Sequence, residues 1–182
     1  MAPNKVTREA NRERARRVLD RLTEAYPDAR CSLDFKNPLQ LLVATILAAQ
    51  CTDDRVNLTT PSLFRRYKAP KDYVAAPDEE LQEAVRSCGF YRQKAKAIKR
   101  ACQTIMERFD GAVPGTMAEL LQLEGVGRKT ANVLLGECFN TPGIIVDTHC
   151  KRVSARLGFT KSAEPGKIEQ DLMRLIPEAR WT

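Results

Sequence analysis

The chain has 182 residues, with 30 Lys and Arg against 23 Asp and Glu, and its formal net charge is +7. This length allows one large domain or two small ones, and a hydrophobic share of 43% with 29% charged residues is ordinary for a globular protein. The longest apolar stretch, Leu41 to Ala49, is too short to cross a bilayer, and no secretory signal precedes it, so we expect neither a membrane protein nor a secreted one. The positive charge favours an anionic partner such as nucleic acid.

The apolar spacing along the chain is mostly helical, so the sequence predicts an all-α protein. Asn37 followed by Pro38 is a favourable helix start, because Asn caps helices and Pro fits the first turn. Only the segment from Gly143 to Val146 resembles a strand, and without a partner strand we expect it to be a buried extended connection. The predicted helices cover about residues 7–25, 37–50, 54–67, 79–87, 95–109, 116–123, 128–137, 148–157 and 167–176.

The chain contains six cysteines, which could indicate disulfides or a metal site. Zinc and iron–sulfur sites usually take two ligands from one tight turn, as in C-x2-C, and no such pair occurs here. We therefore predict no metal site within this sequence and expect reduced structural cysteines. The cysteines are Cys31, Cys51, Cys88, Cys102, Cys138 and Cys150.

Residues 125–129 read Gly-Val-Gly-Arg-Lys; the Gly-Val-Gly part lies between two predicted helices, and Arg128 and Lys129 begin the second. The spacing is wrong for a P-loop, and a dinucleotide fingerprint needs a third glycine where Thr130 stands. A turn with two glycines lets a ligand come close to the backbone, and the amides that begin the next helix favour an anion. A phosphodiester would fit this turn, and a simple connection between two helices is the alternative.

A second informative segment, Asp147-Thr-His149, stands just before a predicted helix. An isolated Asp in this place is a natural N-cap, and a lone His is more often structural than catalytic. A lysine amine can nevertheless attack a carbonyl-like carbon when it is neutral, and a carboxylate beside it can assist. Lys129 and Asp147 are therefore a candidate nucleophile pair.

These segments resemble the helix-hairpin-helix DNA glycosylases, specifically endonuclease III. The resemblance implies a bifunctional enzyme in which Lys129 attacks C1′ of a damaged nucleotide, expels the base and forms a Schiff base, after which β-elimination cuts the strand. Asp147 would deprotonate or orient Lys129 and stabilise the cationic sugar. The similarity covers about residues 30–160 and rests on residues 125–132 and 146–149, with further matches at 37–38, 47–57, 89–95 and 111–114.

The same resemblance implies that the damaged nucleotide is flipped out of the duplex. Gln50 would fill the vacated space, Phe90 would be an apolar wedge, and the hairpin would hold a phosphate. The alternatives are core packing for Phe90 and a buried hydrogen bond for Gln50. The implied DNA-binding residues are Gln50, Phe90, Gly125, Val126, Gly127, Arg128 and His149.

The resemblance also implies two domains. Residues 31–141 would form a six-helix domain with the hairpin, and residues 1–30 and 142–182 a second helical domain. Most endonuclease III members continue into a cysteine cluster, C-x6-C-x2-C-x5-C, that holds a 4Fe-4S centre. This chain ends at Trp181-Thr182, so we expect the second domain to lack that segment and the chain itself to support no cofactor.

The leading hypothesis is a base excision repair glycosylase and AP lyase that acts on oxidised pyrimidines of the thymine glycol type in duplex DNA. Two alternatives stay open: a glycosylase/lyase for 8-oxoguanine or pyrimidine dimers, and a non-catalytic helix-hairpin-helix DNA-binding module. The expected partner is damaged double-stranded DNA, with no membrane. We expect a monomer in the cytoplasm of a bacterium or archaeon, associated with the nucleoid.

Overall fold

The computed structural model describes residues 5–181, with side chains from residue 9 onward. Within this range the chain forms ten α-helices, two 3-10 helices and no β-strand, which confirms the prediction of an all-α fold. The 3-10 helices are Arg86–Cys88 and Glu178–Arg180. The α-helices are α1 (Lys5–Ala25), α2 (Pro38–Ala48), α3 (Asp53–Arg66), α4 (Pro70–Ala75), α5 (Asp78–Ala84), α6 (Tyr91–Arg108), α7 (Met117–Leu120), α8 (Arg128–Phe139), α9 (Thr148–Arg156) and α10 (Pro165–Leu175).

The chain divides into two compact units. The larger is Cys31–Asn140 and contains α2 to α8, that is, six longer helices and the single turn α7. The smaller combines Met1–Arg30 with Thr141–Thr182 and contains α1, α9 and α10. Residues 1–4 and 182, which belong to the predicted second domain, lie outside the described residues.

Helix α2 is the centre of the larger unit. Asn37 caps it as predicted, since its side-chain oxygen accepts a hydrogen bond from the Gln40 amide at 3.0 Å, and Pro38 occupies the first turn. The helix is apolar on every side, which is typical of a buried element, and α3, α6 and α8 pack around it. Its buried residues are Leu39, Leu41, Leu42, Val43, Ala44, Ile46 and Leu47.

The C-terminal end of α2 differs from the prediction. The helix ends at Ala48, and the chain turns at once, with the Cys51 amide donating to the Ala48 carbonyl at 3.1 Å. Gln50 lies in this turn with a φ of 53°, in the left-handed region. Apolar periodicity alone extended the helix to residue 50, because nothing in the local sequence marks the turn.

Helix α6 carries the predicted apolar stripe, and α4 and α5 pack against it. Ala95, Ile98, Cys102 and Ile105 are buried, whereas Met106 is 43% exposed. The sequence prediction missed α4, which is too short to show a helical period. Asp72 supports the start of α4, because its carboxylate accepts from the amides of Lys68 and Ala69 at 2.8 and 2.9 Å.

The smaller unit has its own core, formed by Ile144, Ile168 and Leu172. The stretch from Gly143 to Val146 has no regular secondary structure; Gly143 and Ile144 are buried and the next two residues are half-buried, so it is a connection and not a strand. Trp181 packs against this core and donates its indole N–H to the Ile176 carbonyl at 2.9 Å. Across residues 5–181, no helix combines the length and apolar character that crossing a membrane requires.

Candidate active site

The Gly-Val-Gly segment forms the turn of a helical hairpin between α7 and α8. Leu123 and Val126 anchor the turn in the core of the larger unit, at 3% and 8% exposure. The Val126 amide donates to the Leu123 carbonyl at 3.2 Å and closes the turn. The middle residue of the motif therefore points inward, and the two glycines flank it.

The two glycines meet different surroundings. Gly125 has a φ of +80°, and a Cβ there would lie 3.3 Å from the Ala97 Cβ and 3.4 Å from the Ile46 Cγ1. Gly125 is thus required both by the left-handed backbone and by the close packing of the turn on α2 and α6. At Gly127 a Cβ would meet no atom within 4 Å, so this glycine leaves open space at the surface.

The N-terminus of α8 faces that open space. Gly127 is its N-cap and offers no side-chain cap to the first-turn amides. The positive end of the helix dipole and these amides favour an anion. Arg128 and Lys129 are exposed in the same first turn and add positive charge. This arrangement can bind a phosphate group through backbone amides, without contacting a base. The amine of Lys129 belongs to the same helical turn.

Gln50 and Phe90 are both exposed and both adopt left-handed backbone conformations, with φ values of 53° and 46°. Such a conformation costs a non-glycine residue on the order of 1–3 kcal/mol. Phe90 is 59% exposed, so core packing is wrong for it, and Gln50 is likewise too exposed for a buried hydrogen bond. Two strained turns therefore present an amide and an aromatic ring to solvent.

Lys94, in the first turns of α6, was not singled out from the sequence. It is only 5% exposed, and its Nζ donates to the Leu47 carbonyl at 2.8 Å and to the Cys88 carbonyl at 2.7 Å. The signal available in the sequence was weak: a lysine directly before Ala95, at the start of the apolar stripe. Lysine is common on exposed helix faces, so the pattern did not predict its burial.

Asp147 is the N-cap of α9, in the smaller unit. Its Oδ1 accepts a hydrogen bond from the Cys150 amide at 2.8 Å, which is the capping geometry expected for an isolated Asp. His149 is exposed, and its Nδ1 lies 3.0 Å from Nη2 of Arg152. Lys129, Gln50 and Phe90 belong to the larger unit.

The cysteines do not fit an iron–sulfur centre. Among the described residues, no three His, Cys, Asp or Glu side chains come together to hold a metal ion. All six cysteines are free thiols. Burial raises the pKa of Cys102 to about 12, so this thiol stays protonated and unsuited to ligation at neutral pH.

The chain matches the family model of the HhH-GPD superfamily of base excision DNA repair proteins over residues 43–178. An endonuclease III of Synechocystis sp. is 53% identical over 173 residues, which make up 94% of this chain and 79% of the relative. That of Bacillus subtilis is 47% identical over 165 residues, covering 90% of this chain and 75% of the relative. The chain belongs to the endonuclease III family.

Solved structures agree with this assignment. An endonuclease III trapped as a covalent intermediate with DNA, in an estranged-adenine complex, has a TM-score of 0.90 and 45% identity, and the match covers 93% of this chain and 80% of that one. A thermostable thymine-DNA glycosylase shares the fold, with a TM-score of 0.81 at 19% identity over 94% of this chain and 81% of its own. The resemblance inferred from the hairpin is confirmed. Endonuclease III is a bifunctional glycosylase and AP lyase, and the family carries a 4Fe-4S cluster.

Proposed function

We propose that this chain is a DNA glycosylase and AP lyase of base excision repair that removes oxidised pyrimidines, such as thymine glycol, from duplex DNA. The observation that carries the proposal is the exposed Lys129 in the first turn of α8, directly after a Gly-Val-Gly turn that is open at Gly127. The covalent DNA intermediate of the 45% identical endonuclease III supports a nucleophilic side chain.

Lys129 is the proposed nucleophile. Its neutral amine attacks C1′, the bond from C1′ to the base breaks, and the base leaves with the electron pair of that bond and takes up a proton. Loss of a proton from the amine and opening of the sugar ring then give a Schiff base between Lys129 and C1′. Removal of a proton from C2′ expels the 3′ phosphate by β-elimination and nicks the strand.

Asp147 is proposed to supply the negative charge for this step. A carboxylate near the reacting sugar stabilises the positive charge that develops as the base leaves, and it can orient or deprotonate the amine. The hydrogen bond from the Cys150 amide to Oδ1 holds the carboxylate in a defined orientation at the start of α9. Structural capping and catalysis are compatible, because a carboxylate has two oxygens.

The remaining proposed residues position the DNA. The Gly125–Gly127 turn and Arg128 bind a phosphate next to the lesion, and the single imidazole of His149 adds a contact from the smaller unit. Gln50 and Phe90 enter the duplex, where they replace the flipped nucleotide and wedge the stack. The exposure and the left-handed backbone of both residues support this role, because a strained and exposed side chain does not contribute to the core.

The cofactor and the setting complete the proposal. Among the described residues the cysteines form no ligand set, so we propose no 4Fe-4S cluster on the cysteines of this sequence. No step above depends on the cluster. We propose a monomer that acts in the cytoplasm of a bacterium, on the DNA of the nucleoid.

Borohydride trapping tests the enzyme directly. The protein is incubated with a duplex that contains one thymine glycol, sodium borohydride reduces the Schiff base, and a covalent protein–DNA adduct is expected on a denaturing gel. Lys129→Ala should abolish the adduct. Lys161→Ala, which removes an exposed lysine from a loop, is the matched control and should leave it unchanged.

The choice of lesion decides between the substrate classes. Parallel duplexes carry thymine glycol, 8-oxoguanine or a pyrimidine dimer, and thymine glycol is expected to be processed fastest. Preference for either of the other two would overturn the pyrimidine assignment while keeping the chemistry. If the folded wild-type protein binds DNA but forms no adduct with any lesion, the chain is a DNA-binding module and the catalytic proposal is wrong.

A further inference from the structure

The burial of Lys94 requires a physical reason. An ammonium group in a protein interior is costly unless hydrogen bonds compensate for the lost water. Lys94 is also the fourth residue of α6, near the positive end of the helix dipole, where a cation is disfavoured. Its side chain is nevertheless buried and held by two carbonyl oxygens at 2.8 and 2.7 Å.

The two acceptors lie at the ends of two separate helices. Leu47 is in the last turn of α2, and its carbonyl is left over when the chain turns, because the Cys51 amide donates to Ala48 instead. Cys88 ends the 3-10 helix that precedes Gly89. One ammonium therefore takes the place of the backbone amides that would otherwise continue each helix.

These two helix ends lead directly into the strained turns. Gln50 follows Leu47 by three residues, and Phe90 follows Cys88 by two. Both turns hold a non-glycine residue at positive φ, a conformation that persists only where the surrounding structure enforces it. The bonds from Lys94 tie both turns to one nitrogen, so the spacing between Gln50 and Phe90 depends on a side chain that is itself buried.

We propose that Lys94 is the positioning residue for the two DNA-inserting turns, coupling the placement of Gln50 to that of Phe90. It does so from beneath the surface, through the carbonyls of Leu47 and Cys88, without contacting DNA. This inference rests on the proposed function, because Gln50 and Phe90 are taken to enter the duplex. The class of DNA affected is therefore stacked, double-stranded substrate, in which a flipped nucleotide leaves a space to fill.

The test compares AP-lyase activity on two substrates that differ only in the second strand: an abasic duplex and the same abasic oligonucleotide without its complement. Lys94→Met keeps a long side chain but removes the donors and leaves both carbonyls unpaired. We expect its kcat/KM on the duplex to fall by at least about tenfold, since a small misplacement remote from the chemistry can cost up to about 100-fold. Activity on the single strand should stay near that of the wild type, because no stack needs to be opened. Lys71→Met, at an exposed lysine of α4 in the same unit, is the control and should change neither.

A double-mutant cycle tests whether Lys94 acts through the two turns. In the background of Gln50→Ala with Phe90→Ala, Lys94→Met should cause little further loss on the duplex. Hydrogen exchange provides a readout independent of activity: amides of residues 48–51 and 88–91 should exchange faster in Lys94→Met, with the core of α2 unchanged. If Lys94→Met does not fold, Lys94→Gln, which keeps donors at a shorter reach, replaces it and should show a smaller loss confined to the duplex.

The outcomes separate this inference from the proposed function. If the wild-type protein is inactive on both substrates, the proposed function is wrong. Hydrogen exchange would still show whether Lys94 holds the two turns in place. Equal losses on duplex and single strand in a folded variant would show a general structural role and overturn the inference. Full duplex activity of Lys94→Met, additive losses in the cycle, or unchanged exchange in both turns would overturn it as well.

Discussion

The two glycines of the hairpin should separate stability from DNA binding. Gly125→Ala places a methyl group on a backbone with a φ of +80°, 3.3 Å from the Ala97 Cβ. Left-handed backbone costs an ordinary residue about 1–2 kcal/mol, and the tight contact adds to this, so we expect a loss of about 2 kcal/mol in the free energy of unfolding. For a chain of this length, that loss lowers the Tm by about 4–8 °C.

Gly127→Ala should behave in the opposite way. Its φ of −99° suits alanine and the new Cβ meets no atom within 4 Å, so the only expected cost is that of alanine in place of glycine as the N-cap of α8, a loss of no more than about 1 kcal/mol in the free energy of unfolding. The methyl group instead occupies the open side of the turn. If a phosphate binds there, it loses a hydrogen bond worth about 1.5–3 kcal/mol, and Kd for abasic duplex should rise by about tenfold or more.

Thermal unfolding followed by circular dichroism gives the stability of both variants, and fluorescence anisotropy with labelled duplex gives Kd at one fixed salt concentration. Binding is measured well below the Tm of Gly125→Ala so that both proteins are folded. The reasoning is refuted if Gly127→Ala is the less stable variant, because the packing around the turn would then be reversed. An unchanged Kd in Gly127→Ala would show that the hairpin does not bind the DNA.

Three further predictions follow from the other site residues and from the core. Phe90→Asn places a residue that tolerates left-handed backbone at a φ of 46°, so the free energy of unfolding should stay within about 1 kcal/mol of the wild type. Incision of duplex DNA should nevertheless fall, and unchanged incision would exclude the wedge role. Asp147→Asn keeps an N-cap and should be as stable as the wild type, whereas Asp147→Ala should lose about 1 kcal/mol in the free energy of unfolding. Both variants should be catalytically impaired, and an active Asp147→Asn would show that Asp147 only caps the helix. Burial raises the pKa of Cys102 from 9.0 to about 12, so the thiol ionises at lower pH in the unfolded state than in the folded one. The free energy of unfolding should therefore decline as the pH rises from 9 towards 12. Urea unfolding of Cys102→Ala should show a shallower decline with pH, and an equal slope would contradict this.

Local sequence was sufficient for much of the fold and for the hairpin. The Asn37 cap, the apolar α2 and the stripe of α6 are encoded within a few turns, and the structure contains all three. The end of α2 and the existence of α4 were missed. Both depend on short-range backbone geometry that apolar periodicity does not report, since a six-residue helix or a single left-handed residue is shorter than one full pattern.

The candidate site divides along the same line. The sequence by itself determined the helical class, the family and the Gly-Val-Gly-Arg-Lys turn, because the residues that specify them are neighbours along the chain. Only the tertiary structure decided that Gly125 packs on α2 and α6 while Gly127 faces open space, that Phe90 is exposed, and that Lys94 is buried. Burial is set by contacts between distant segments: the Lys94 ammonium reaches Leu47, which is 47 residues away in sequence. In sequence, a lysine beside an apolar stripe therefore looks like a solvated residue. Only the fold shows that two helix ends surround it.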